Sequence, residues 1–139
     1  MLWHELHALA GAGFALALIE LRRRYLGWFL TLSRIALSLA IASALAVAIG
    51  SAGWAVGPFP LAPLYYLGLF GLSAGLVATG LTTRTLPSPL PALLVATGLA
   101  FPVTLVAAFT LPPLVSTLAL MGYGLLWSVL GFVQLSRNP

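Results

Sequence analysis

Ionisable groups are scarce in this sequence: two histidines, two acids (Glu5 and Glu20) and six arginines, with no cysteine. His4 and His7 stand three residues apart, a spacing that puts two side chains on one face of a helix. Two imidazoles so placed, with Glu5 beside them, could begin a zinc or copper site or meet a haem iron. A metal site needs three or four ligands, however, and Asp, Cys and further His are all absent from the chain. Two axial haem ligands must approach opposite faces of the ring, and no second helix supplies the other histidine. The plainer reading of His4 and His7 is a pair of polar residues at a membrane interface. No cofactor is predicted, and metal or haem at His4/His7 stays a minor alternative.

Glu20 precedes Arg23 and Arg24 by three and four residues, so an ion pair along one helix is expected. Arg34 sits in an apolar stretch. If a helix begins near Leu26, a rise of about 1.5 Å per residue puts Arg34 roughly 12 Å inside it. A charge at membrane depth is costly and marks a candidate contact for an anion, a lipid headgroup or a partner carboxylate. Arginine can also extend its stem and keep its head at the interface. The absence of Asp rules against a Ser–His–Asp triad. Two acids at distant positions give no paired carboxylates for acid–base work, and no Gly-rich loop opens a helix in a phosphate-binding context.

These residues must be carried by something, and the composition says what. Hydrophobic residues make up 61% of the chain and charged residues 6%, against about a quarter charged in soluble domains. The chain therefore reads as an all-α integral membrane protein with a single transmembrane domain over 1–139. The net charge of +4 comes from isolated arginines flanking apolar runs, which are topology markers rather than a nucleic-acid surface. The partners expected are the lipid bilayer and a membrane protein or a second copy of the chain, and no nucleic acid.

Spanning the bilayer takes about 20 apolar residues per helix. Five segments qualify, over about 6–21, 35–54, 64–81, 90–109 and 114–132, in a compact bundle. Arg22, Arg23, Arg24 and Arg34 fall in or near the first inner connection, Arg84 in the second and Arg137 in the C-terminal tail. The loops about 51–63 and 110–113 are uncharged. All six arginines then lie on one side, which by the positive-inside rule is the cytoplasm, with the N-terminus outside and the C-terminus inside. The start of the chain shows no basic segment before its first apolar run, so a retained first helix is expected rather than a cleaved leader. Arg-only basicity with abundant Ala, Gly and Pro suggests a prokaryotic cytoplasmic (inner) membrane. Trp3, Trp54, Phe59, Tyr65 and Tyr66 are expected as outer anchors, and Tyr25, Trp28, Trp127 and Phe132 as inner ones.

Proline punctuates the pattern. Pro58, Pro60 and Pro63 mark the first outer loop, Pro87, Pro89 and Pro91 lead into the fourth helix, and Pro112 and Pro113 make a tight turn. Pro102 falls inside the fourth helix and frees carbonyls that Thr97, Thr104 or a neighbouring helix must satisfy. Ser73, Thr79, Thr117, Tyr123 and Ser128 add hydroxyls at membrane depth, most of the Ser and Thr expected to bond back to their own helix.

A shift of 50 residues brings Arg34, Ser38, Ala42, Ala46, Val56, Phe59, Leu61, Pro63 and Leu64 onto identical residues from Arg84 to Leu114. This suggests a parallel duplication of two hairpins, 34–83 and 84–137, with an extra N-terminal helix. Small residues recur at four-residue spacing: Ala36, Ala40, Ala44 and Ala48; Gly71 and Gly75; Gly124 and Ser128; Gly11 and Ala15. In lipid, such faces let backbones approach closely, either within one bundle or between chains. With no catalytic set in view, the first expectation for function is a structural or accessory subunit of a larger membrane complex. A small oligomeric transporter or channel is the alternative, and a membrane redox or metal-binding protein using His4/His7 the second alternative.

Overall fold

The computed structural model describes residues 2–56, 61–83 and 85–136. Pro58, Phe59, Pro60, Arg84 and Arg137 lie outside the described residues, as do the side chains of Trp3, His4 and Trp54. The described residues are helical and contain no strand. The elements are α1 (Leu2–Arg24), a short 3-10 turn (Leu26–Trp28), α2 (Thr31–Val56), α3 (Ala62–Thr82), α4 (Leu90–Thr110) and α5 (Pro113–Ser136). Four of them, α2 to α5, carry stretches long and apolar enough to cross a membrane, from Thr31–Gly53 to Pro113–Leu130.

The ends follow from the local sequence. Pro89 is the residue before α4, and Pro91 stands in its first turn, where a missing N–H costs nothing. Pro113 opens α5 after Leu111, whose backbone is extended, as a residue ahead of proline prefers. The sequence allowed α2 to begin near Leu26. Instead the chain makes a 3-10 turn at Leu26–Trp28, and α2 starts at Thr31. Arg34 is thus in the first turn of α2 and not deep within a helix.

Helices consecutive in sequence pack on one another, α1 on α2, α2 on α3, α3 on α4 and α4 on α5. The core runs along these seams through Leu18, Leu21, Leu37, Leu72, Leu76 and Leu94, all fully or nearly fully buried. Close approach depends on glycine. A Cβ on Gly75 of α3 would lie 2.8 Å from both Cβ and N of Ala40, and 2.9 Å from the Ala36 carbonyl oxygen. Gly68 meets Ser43 and Val47 in the same way, and Gly11 of α1 meets Ala44 and Ala48. The alanine row Ala36–Ala40–Ala44–Ala48 therefore serves two neighbours, α3 at one end and α1 at the other. Such contact is what holds helices together where water offers no driving force.

Two connections meet at one end of the bundle. Ser33 Oγ donates to Thr82 Oγ1 (3.0 Å), and Thr85 Oγ1 donates to the Trp28 carbonyl (2.8 Å). Tyr25, Phe29 and Leu86 from these connections are buried. Trp127 and Tyr25, read from the sequence as interface anchors, are instead packed inside, at 8% and 3% exposure. Trp127 stacks on Phe14 of α1, and the attraction of this flat contact outweighs display at a surface. Trp28, Tyr66 and Phe132 are exposed.

Pro102 has no N–H for the carbonyl four residues back, which belongs to Gly98. Ser73 Oγ of α3 donates to that carbonyl from the neighbouring helix. Thr97 and Thr104, the intrahelical alternatives, bond back to Leu93 and Ala100 at 2.6 and 2.7 Å. Leaving a buried carbonyl unpaired costs about 1–3 kcal/mol, so Ser73→Ala should lower stability by that order. In a Pro102→Ala background the restored helical N–H makes Ser73 dispensable, and the same substitution should then cost only a fraction of that. Chemical unfolding of the four proteins in mixed micelles gives the cycle. Simple additivity would show that the two residues do not act on one carbonyl.

Candidate functional site

The residues that the sequence put forward do not assemble into one site. Glu20 Oε1 accepts from Arg24 Nε at 2.8 Å, an i, i+4 pair on the surface of α1. Pairs of this kind are screened and contribute little, so the acid is tied to its own helix. Arg34 turns back onto the connection before it. Its Nε donates to the Phe29 carbonyl at 3.0 Å and its Nη2 to the Leu26 carbonyl at 3.1 Å. One guanidinium thereby closes the elbow between α1 and α2, using the forked donors that lysine lacks. Ser38 Oγ donates to the Arg34 carbonyl at 2.8 Å.

His7 lies on α1, with its ring edge-on to Tyr65 of α3 at 6.2 Å between centroids. Among the described residues no group of three potential metal ligands comes together. Of the predicted packing residues, Ala36, Ala40, Gly71 and Gly75 come together between α2 and α3, where a Cβ on Gly71 would strike Ser43 Oγ, while Ala44 is buried against Gly11 of α1. Ala48 meets Gly11 of α1. Gly124 and Ser128 do not join them. Both are exposed on α5, with nothing within 4 Å of where a Gly124 side chain would begin.

The structure brings together a set that the sequence did not suggest. All five helices contribute to a cavity of about 210 Å³. Its walls are the rings of Phe14, Phe101 and Tyr123, and its polar groups come from His7, Tyr65, Thr104 and Tyr123. Phe101 also meets Phe70 edge-on and lies 6.4 Å from Tyr123, so the aromatic wall is braced from α3 and α5. Trp127 stands behind it, stacked on Phe14 at 3.8 Å and edge-on to Tyr123 at 6.3 Å. Its Nε1 is buried without a hydrogen-bond partner among the described residues. Among the described residues no arginine, aspartate or glutamate lines the cavity. The one signal in the sequence was weak: four polar residues inside otherwise apolar segments.

Fold and site together define a helical-bundle protein whose apolar helices fit a membrane and enclose in part a small, largely apolar cavity. Comparison with protein-family models, with curated proteins and with solved structures gives no match.

Proposed function

We propose that this chain is a five-span membrane protein that works as an accessory subunit, joined to a membrane-protein partner or to further copies of itself through α5. The observation that carries this reading is the unequal packing of the helices. Buried residues make up 44%, 39% and 33% of the apolar stretches of α2, α3 and α4, but 12% of that of α5. Leu114, Leu118, Met121, Leu125 and Phe132 are each more than half exposed along that helix. Gly124 and Ser128 lie among them, offering the small-residue step that lets another helix approach closely. Elsewhere in the chain, steps of this kind at Gly11, Gly71 and Gly75 are used up inside the bundle.

The other two parts of the reading concern placement. α1 supplies the fifth span over about 6–21, and the N-terminus lies outside with the arginines on the cytoplasmic side of a prokaryotic inner membrane. The hydrogen bonds that join the connections at Trp28 and Thr85 support one common end for Arg22, Arg23, Arg24 and Arg34. Duplication of the hairpins 34–83 and 84–137 belongs to the same proposal. Shifted by 50 residues, α3 falls on 112–132 and so overlaps α5 in all but its first residue, but the first turns of α2 fall on 81–89, ahead of α4.

Purification in mild detergent from the native membrane, followed by native mass spectrometry, tests the association. The expected result is a stoichiometric partner or a defined oligomer. It should be lost when Gly124→Leu and Ser128→Leu are combined, with thermal melting of the chain unchanged. A monomer that travels alone, or an assembly indifferent to both substitutions, would end the proposal. Reporter fusions at the two termini test the orientation, an external C-terminus being the result against it.

A further inference from the structure

We infer that the five-helix cavity is a binding site for a neutral, flat, one-ring molecule carrying a hydrogen-bonding oxygen. The inference is independent of the association through α5. Size comes first. A dry engineered cavity of about 150 Å³ holds benzene, and the present one is about 210 Å³. The difference accommodates ring substituents of a few atoms but not a second fused ring with its own substituents. Shape follows from the walls. Phe14, Phe101 and Tyr123 offer aromatic faces and edges, which favour another ring at stacked or edge-on distance.

Charge and polarity narrow the class further. With no Arg, Asp or Glu among the described lining residues, a cation would enter without a counter-ion and an anion could look only to the His7 imidazole, so a neutral ligand enters at the lowest cost of desolvation. The polar groups present suit a single oxygen-bearing ring. Tyr65 and Tyr123 bring phenol hydroxyls that can donate or accept, His7 an imidazole, and Thr104 a hydroxyl whose proton is already given to Ala100 and which can therefore accept. A few convergent polar groups in an apolar chamber are the usual makeup of a small-molecule site. Such a ring reaches the chamber either as the head of a lipid-tailed molecule or as a free solute.

The test uses the full chain in nanodiscs with Trp3→Phe, Trp28→Phe and Trp54→Phe, so that Trp127 behind the cavity wall is the sole indole. The probes are a decyl-tailed benzoquinone and tail-less 4-methoxyphenol. Saturable quenching of Trp127 by the tailed probe alone identifies a lipid-borne ring, and saturation by 4-methoxyphenol identifies a free solute. In either case Tyr65→Phe should weaken binding about two- to tenfold, the range for one lost hydrogen bond. Leu69→Phe combined with Leu105→Phe, which fill the chamber from two walls, should abolish binding. Failure of both probes to saturate overturns the inference, as does quenching that survives the filled chamber. Should the filled protein not fold, Tyr65→Phe and Tyr123→Phe decide: affinity unchanged in both overturns it equally.

Discussion

Replacing Gly75 with leucine should separate α2 from α3 and lower the stability of the bundle. The first carbon of the new side chain would lie 2.8 Å from the Ala40 nitrogen and Cβ and 2.9 Å from the Ala36 carbonyl oxygen. Two of these atoms are backbone, so no rotamer change on α2 relieves the contact. The helices must move apart, and the van der Waals contact of α3 with Ala36 and Ala40 is lost with them. Overpacking of this sort costs about 1–3 kcal/mol and at times more. Leucine is apolar and forms helix well, so insertion of α3 is unaffected and the change isolates packing. Gly13→Leu is the control, because nothing lies within 4 Å of that position. Unfolding in mixed micelles should show a large shift of midpoint for the first and almost none for the second. Equal shifts would mean that close approach at Gly75 contributes nothing.

Trp127→Ala is the second change expected to matter, and for a different reason. Trp127 is the contact by which α5 reaches α1, its ring 3.8 Å from that of Phe14 with planes 17° apart. Large aromatic truncations in soluble cores cost about 3–5 kcal/mol. In lipid the transfer part of that cost shrinks and the lost ring contacts remain, so a value near the low end, about 3 kcal/mol, is expected. The damage should also be local. Hydrogen exchange should rise in α5 while α2 and α3 stay protected, since their seam does not involve this residue. Trp28→Ala removes the same ring from a half-exposed position and should leave exchange as it was. Uniform loss of protection across all helices would contradict a contact confined to α1 and α5.

The contrast between Gly75 and Gly124 shows what the sequence could convey. Hydropathy and proline marked the helices to within a few residues of their observed ends, because insertion length and helix breaking are local properties. Four-residue spacing likewise showed that Gly71/Gly75 and Gly124/Ser128 each share a face. It could not show what faces them. That is decided by how five helices pack, and the two steps met opposite fates, one clamped on α2 and the other left open. The Pro102 position told which carbonyl would be freed, by counting back four residues to Gly98. The donor, Ser73, lies on another helix and could be named only once the seam between α3 and α4 was known. His7 was read together with His4, whose side chain lies outside the described residues, and its contact with Tyr65 of another helix had no signal in the spacing. The cavity was the least legible feature. It gathers residues from every helix, each of them ordinary in its own segment, and no local spacing joins them.

The neighbour-by-neighbour packing of the helices bears on how the protein is made. Each helix rests chiefly on the one that precedes it in the chain, so loop closure is short at every step and little entropy is lost in finding partners. A chain leaving the ribosome can add helices one at a time, in order, to a seam already formed. The stack of Phe14 on Trp127 runs across this order and joins α1 to α5, as the edge contact of His7 with Tyr65 joins α1 to α3. Synthesis must reach α5 before that stack can form and the fifth wall of the chamber is set. The cavity is therefore complete only once α5 has been made, by the same helix whose outer face the other four leave uncovered.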